Sequence, residues 1–453
     1  MGPGSRDFIE NFGPTRRFLR SGFWSGIRRA TLGLPDLPAH PPPRPKNRRP
    51  LDPSAPAGMS HPPQDPAEDP YPYFARLRAS DPVHPLPDTR HPERPPGYLV
   101  TGYQAAREAL TCPQVSKDTA RFFAGKPSTR DLHPAVSQSM SATDPPRHTR
   151  LRKLVTTAFT TGAVAALRPF IAKTTQALLD RCPGEPGVAF DLVAALAMPL
   201  PVIVICELLG VPKDDRPSVR HWSAELFAAG APERVDAASH SLASYLAQLI
   251  AARRASPSAS LLDRLIAARD GEDRLTEEEL LSLAVLLLVA GHETTTAFLG
   301  NAVLALLQHP AELDRLRADP DSLPAALEEL LRYCSPFTTA TFRYAEEPVT
   351  LAGRQVPAGS PVLLALGAAN RDPDRYPSPD RLDLDRAAAG HLTFGYGIHR
   401  CVGAPLARAE AAIALRAVLA RFPRLRLAVP ADRLVWRSTR LIRGLRTLPV
   451  LDG

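Results

Sequence analysis

The pattern of apolar and polar positions changes character twice along this 453-residue chain. Residues 1–34 intersperse arginine with Phe8, Phe12, Phe18, Leu19, Phe23, Trp24 and Ile27. Residues 35–70 carry 13 prolines in 36 positions. That density excludes helix and central strand and predicts an extended, semi-rigid spacer. From about Tyr71 the spacing is mostly helical. Apolar repeats predict helices from Asp144 through Phe159, over 163–181, over 191–209 with Gly210 as the stop, over 233–254 and over 259–270. Thr276 and Glu279 have the spacing of a capping box. The apolar run behind them predicts one long helix to Leu307, stopped by Pro310. Further helices are predicted at 324–334 and 402–421. Residues 348–366 read as strand, with turns at Ala352-Gly353 and Ala358-Gly359, and the last thirty residues read as short strands. The expected organisation is a head (1–34), a spacer (35–70) and one body (71–453) that is mainly α with a smaller β portion.

Composition and charge narrow the classes. With 44% apolar and 23% charged residues the chain is of ordinary globular composition. No apolar run reaches the roughly 20 residues of a spanning helix; the longest, Leu280 to Gly291, ends in His292-Glu293. The net charge is +8, but residues 1–60 hold ten Lys/Arg against four acids, so six of the eight excess charges sit there. The body is near neutral, which argues against nucleic-acid binding. The head lacks the apolar core of a signal peptide. A mobile extension is the preferred reading of it, with peripheral membrane contact by a basic amphipathic segment in second place. Cys112, Cys182, Cys206, Cys334 and Cys401 are few and scattered, which excludes a disulfide scaffold and a zinc cluster and suits a reducing, cytoplasmic compartment.

Four stretches carry chemistry. In Phe394-Gly395-Tyr396-Gly397-Ile398-His399-Arg400-Cys401-Val402-Gly403, glycines permit a tight turn close to a flat ligand, and a cysteine stands just before a helix. The free N–H groups and dipole of a helix N-terminus favour a thiolate, and a thiolate so held is a good axial ligand for haem iron. In Ala290-Gly291-His292-Glu293-Thr294-Thr295, a glycine, an acid and a hydroxyl interrupt an apolar helix. Burying them is expensive. Such an acid–alcohol pair can relay protons, although a kinked helix with a wet face would read the same. Glu329-Leu330-Leu331-Arg332 places an acid and a base on one helix face. In His148-Thr149-Arg150-Leu151-Arg152, His148 and Arg152 share a face suited to carboxylates.

Taken together, the ten residues from Phe394 to Gly403 and the other three stretches resemble the cytochrome P450 family, in its soluble bacterial form, over roughly residues 60–453. The resemblance implies the P450 fold, with haem b (iron protoporphyrin IX) between the long central helix and the cysteine-bearing helix. It implies Cys401 as the iron ligand, with Phe394, Gly395 and Gly403 shaping its loop. It implies His148, Arg152, Arg343 and His399 as contacts of the haem propionates. Ala290 and Gly291 would line an oxygen pocket, with Glu293 and Thr294 as the catalytic acid and alcohol. Glu329 and Arg332 would lock the core behind the cysteine loop.

The implied reaction is monooxygenation: one atom of O2 enters an apolar organic substrate by hydroxylation or epoxidation, in secondary metabolism or catabolism, and the other leaves as water. No flavin or iron–sulfur motif is present, so electrons would come from NAD(P)H through a separate ferredoxin reductase and ferredoxin. Arg147, Arg150, Lys153, Arg400 and Arg408 are the expected docking face. Substrate contacts are expected from segments 111–140 and 210–235, from Val289, Ala290, Thr338 to Thr341 and Thr439, including the aromatics Phe122, Phe123, Trp222, Phe227 and Phe337. Two rival functions remain at this level: another haem-thiolate chemistry (oxidative coupling, dehydration or peroxide-driven oxidation), or a non-catalytic haem or ligand-binding protein.

Overall fold

A computed structural model describes residues 69–453 except 87–93, 127–129, 228–230, 259, 271–274 and 438–440. The head and spacer expected over residues 1–68, and Thr439, therefore lie outside the described residues.

The body is mainly α, as the apolar repeats imply. The predicted helices form at Arg147–Thr156, Thr161–Leu179, Pro199–Leu209, Pro232–Ala255, Leu261–Asp270, Leu323–Tyr333 and Ala404–Arg421. Two predicted boundaries differ for physical reasons. Asp144 does not open a helix, because the prolines at 145 and 146 delay helical turns until Arg147. The stretch 191–209 divides into the end of a two-residue strand, Phe190–Asp191, a π-helical turn at Val193–Ala197, and an α-helix that opens with Pro199 at its first position.

The expected long helix is also two segments, Glu277–Ala290 and Glu293–Gln308, broken at Gly291-His292. Its predicted capping box is formed. Thr276 Oγ1 accepts from the Glu279 N–H, and Glu279 Oε2 accepts from the Thr276 N–H, each at 3.1 Å. Glu279 also receives Arg147 at 3.3 Å and Arg150 at 2.5 Å, so one buried carboxylate both starts this helix and fastens the Arg147–Thr156 helix to it. Leu280, Leu283, Ala284, Leu287 and Leu288 are buried on its length. Each leucine so placed stabilises by about 2 kcal/mol. The Glu277–Gln308 pair is long and apolar enough to cross a bilayer, but here it is mostly covered by the surrounding helices, as the central helix of a packed body must be.

One large core joins this pair to the Thr161–Leu179, Pro199–Leu209, Leu323–Tyr333 and Ala404–Arg421 helices. A second core lies under the β portion. There Val83–Leu86 pairs antiparallel with Gly97–Val100, which runs parallel to Val362–Leu364. The hairpin Val349–Leu351/Arg354–Val356 turns at Ala352 and Gly353, both at positive φ. Close to the C-terminus, Pro449–Asp452 pairs with both Phe190–Asp191 and Leu425–Leu427.

Candidate active site

The cysteine loop is built by its glycines. Gly395 and Gly397 take φ of +70° and +71°, a region other residues rarely enter. A Cβ on Gly397 would stand 2.8 Å from the Leu110 carbonyl oxygen, so the loop also needs that position bare to pack on the Tyr103–Thr111 helix. The Cys401 N–H donates to the Phe394 carbonyl at 2.8 Å, closing the loop just ahead of the Ala404–Arg421 helix. Cys401 is exposed, whereas Cys182, Cys206 and Cys334 are buried. Although the residue as a whole is exposed, the protein atoms packed around its sulfur raise the thiol pKa, and the Gly403 and Ala404 N–H groups, Arg152 and Arg400 oppose this. The opposing groups are those that stabilise a thiolate.

The loop rests on a braced scaffold. Glu329 and Arg332 are fully buried and paired through two bonds of 2.6 and 2.7 Å. Arg332 also donates to the carbonyls of Asn370 at 2.9 Å and Pro379 at 2.8 Å. Asn370 in turn accepts from the Leu392 N–H at 2.6 Å and donates to Thr393 at 2.9 Å, two residues before the glycine turn. Beside it, Glu328 receives both ends of Arg408, at 2.6 and 2.8 Å, and lies 3.3 Å from His391 Nε2. Burial alone would raise the Glu328 carboxyl, but Arg408 and His391 outweigh it and hold it at about 2. The Arg408 guanidinium lies 4.5 Å from the Phe394 ring centre. This corrects one expectation: Arg408 belongs to the brace beneath the loop and not to an open docking face. Arg147 and Arg150, both half-exposed, are likewise engaged by Glu279.

The four expected propionate contacts converge only in part by direct contact. The His148 and His399 rings stand 4.1 Å apart, and His399 Nε2 is 3.6 Å from Asp144. His148 Nδ1 and His399 Nε2 are buried with no hydrogen-bond partner. Burial lowers both imidazoles, His399 to about 4 despite Asp144, so they stand neutral. Arg343 is 3% exposed and lowered by burial to about 10, with Asp144 opposing. Arg152 is half-buried and faces both His148 and Cys401. Two further members were not legible in the sequence. Asp144 accepts from the Ser116 hydroxyl at 2.6 Å and the Lys117 N–H at 3.0 Å. Lys117, 4% exposed, donates from Nζ to Thr341 Oγ1 at 2.7 Å. Neither position carries a periodic or motif signal, since the contacts join segments 27 and 224 residues apart.

On the central helix, Ala290 is exposed in the midst of buried residues. Gly291 has a packing requirement: a Cβ there would lie 2.8 Å from Ile205 Cγ1 and 2.7 Å from the Leu287 carbonyl oxygen. At the break, His292 Nδ1 donates back to the Leu288 carbonyl at 3.0 Å. Glu293 is buried and receives Arg437 Nη1 at 2.5 Å, a partner 144 residues away that sequence reading did not find. Thr294 is half-buried beside it. Three of the expected substrate-facing aromatics pack on other rings. Phe122 and Phe123 pack against each other and against Phe342, and Trp222 lies 5.8 Å from the Tyr245 ring, so each has a packing role.

Comparison with known proteins agrees with this geometry. The family model for cytochrome P450 matches residues 221–427. The chain is 46% identical over 388 residues to cytochrome P450 monooxygenase PikC of Streptomyces venezuelae, covering 85% of this chain and 92% of that protein. It is 42% identical over 396 residues to the 6-deoxyerythronolide B hydroxylase of Saccharopolyspora erythraea, covering 84% and 96%. The solved structure of the tirandamycin C-bound P450 monooxygenase TamI superposes with a TM-score of 0.78 at 44% identity, covering 86% of this chain and 99% of that one. The chain belongs to the cytochrome P450 family. It is a monooxygenase of the bacterial type, an oxidoreductase with haem as its cofactor. The residues present fit that group. An exposed cysteine stands at a helix start, and two buried imidazole nitrogens without partners lie among cations that suit carboxylates.

Proposed function

We propose that this monooxygenase hydroxylates or epoxidises a bulky apolar secondary metabolite, with residues 71–453 as one catalytic unit working in the cytoplasm. The observation that carries the oxygenase reading is the helix break at Gly291-His292, which sets a buried carboxylate, Glu293, next to the Thr294 hydroxyl. Haem bound through Cys401 supplies the centre at which O2 is activated. His148, Arg152, Arg343 and His399 hold its carboxylates. Phe394, Gly395 and Gly403 fix the loop around the sulfur, and Ala290 and Gly291 shape the space above. Thr294 holds and passes a proton at its Oγ1, and Glu293 replenishes it. Its 2.5 Å bond to Arg437 occupies Glu293 Oε2, so delivery from this carboxylate requires the pair to open.

The hydroxylase among the relatives acts on 6-deoxyerythronolide B by its name, which supports a macrolide- or polyketide-like substrate class here. Electrons come from NAD(P)H by way of a separate ferredoxin reductase and ferredoxin. The docking face is centred on exposed Lys153 and Arg400, with Arg147 and Arg150 at its edge. Coupling tests the reading. With a substrate found by its spin-state shift and a surrogate ferredoxin system, Thr294→Ala should lower product formed per NADPH consumed by about tenfold or more, with peroxide released instead. The carbon-monoxide spectrum should stay intact. Unchanged coupling in both Thr294→Ala and Glu293→Gln would contradict the assigned proton route.

A further inference from the structure

The charges around the histidine pair do not balance among themselves. Lys117, Arg152 and Arg343 face one another, or His148 between them, with Arg400 beside Arg152; the acidic groups set against them among the described residues are Asp144 and Cys401. Four formal cations against the Asp144 carboxylate and a Cys401 thiolate leave two positive charges in excess. Lys117 and Arg343 are 4% and 3% exposed, so water screens neither of them well, and burial beside Arg343 pushes the Lys117 ammonium well below its usual pKa, which an anion at Nζ would oppose as Asp144 does. Lys117 Nζ has one neutral partner, Thr341 Oγ1 at 2.7 Å, which leaves two of its three N–H donors for another acceptor. In the same cluster the buried His148 Nδ1 has no hydrogen-bond partner among the described residues, and His399 Nε2 has only the 3.6 Å contact to Asp144. A buried ammonium beside a buried guanidinium is unfavourable unless an anion joins them. Without Lys117 the same count leaves a single positive charge. Lys117 brings the excess to two, the charge of a dicarboxylate.

We propose that Lys117 is a further haem-binding residue, a third cation for the propionate carboxylates, and that its charge holds the ferric/ferrous midpoint potential up. The inference rests on the haem-thiolate reading above and deepens it. Lys117 is a positioning and electrostatic residue and takes no part in proton delivery. Its place is fixed from both sides: the backbone N–H is held by Asp144 and the ammonium by Thr341.

The test uses the purified holoenzyme and two readouts that do not depend on turnover: the rate of haem transfer to excess apomyoglobin, and the midpoint potential by dye-equilibrated reduction. Lys117→Met should speed haem loss by about tenfold or more, which corresponds to about 1.4 kcal/mol, and should move the midpoint to more negative values. Lys117→Arg should restore both. Asp144→Asn removes the opposing carboxylate with its shape kept, so it should move the midpoint the other way; this variant keeps the proposal testable if Lys117→Met does not fold. Haem retention and midpoint both unchanged in Lys117→Met would overturn the proposal. So would Lys117→Arg behaving like the methionine variant, or an Asp144→Asn midpoint unmoved or moved negative. Failure of the underlying reading looks different: the wild-type protein would then lack the long-wavelength carbon-monoxide band altogether.

Discussion

The two sides of the candidate site are held in different ways. On the cysteine side, Glu329, Arg332, Asn370 and Thr393 form a fully buried chain of bonds that ends at the glycine turn, and Glu328, Arg408 and His391 brace it from beside. Across the segment where substrate contacts are expected, residues 130–133 are fastened to the Pro232–Ala255 helix by more exposed contacts. Asp236 receives Arg130 at 2.7 and 2.9 Å and the Asp131 N–H at 3.0 Å; Ser239 receives the His133 N–H at 3.0 Å; and His240 donates to the Asp131 carbonyl at 2.9 Å. The difference follows from burial. Bonds in a dry interior are individually costly to break and set one geometry, whereas bonds at the surface exchange with water and can open. A thiolate ligand must not move, and a substrate entrance must.

The largest effect should come from breaking the buried side. Arg332→Ala removes the two shortest bonds to the Glu329 carboxylate at zero exposure and leaves it Arg386 Nε and the Asp383 N–H, each at 3.2 Å, a loss of about 3 kcal/mol. The expected outcome is protein that fails to retain haem or unfolds at markedly lower temperature, read by Soret absorbance during thermal melts. A melt matching wild type would mean that the chain of bonds is not what fixes the loop.

A smaller effect separates the brace from the pair. Glu328 holds its proton only below about pH 2 when folded, against an ordinary value of 4.5. Its folded pKa is depressed, so its contribution is fully present above pH 4.5 and is lost as the pH falls towards 2. Glu328→Gln should therefore lower stability at neutral pH by about 1–2 kcal/mol and flatten the acid decline between those limits. Denaturant melts across that pH range would measure it, and an identical acid decline in the variant would count against the assignment.

The smallest stability effect belongs to the surface clasp. Asp236→Ala should cost about 1 kcal/mol or less, yet it should raise the dissociation rate of bound substrate several-fold with the carbon-monoxide spectrum unchanged. Stopped-flow chase of the spin-state signal tests this. An unchanged rate would mean that residues 130–133 do not guard the site.

Legibility in the sequence follows the same division. The cysteine loop was readable because a tight turn, close packing and a helix start each demand particular residue types within ten positions. Glu329 and Arg332 were readable as neighbours on one helix face, and Thr276 and Glu279 as a cap, because those contacts are local. Asp144, Lys117 and the Glu293–Arg437 pair were not, since each depends on segments that meet only in the folded chain. The break at Gly291-His292 was half legible. The glycine and polar residues marked the place, but the apolar period continues on both sides and so read as one helix. Charge alone does not distinguish a free surface cation from one engaged by a carboxylate, as Arg408 is by Glu328.

The most direct test is the carbon-monoxide difference spectrum of the reduced protein with Cys401→Ser beside it. The account predicts the long-wavelength Soret band of a ferrous–CO thiolate in the wild type and its loss in the serine variant. A wild-type band at the shorter wavelength of an imidazole or protonated thiol, or a long-wavelength band that survives Cys401→Ser, would contradict Cys401 as the ligand.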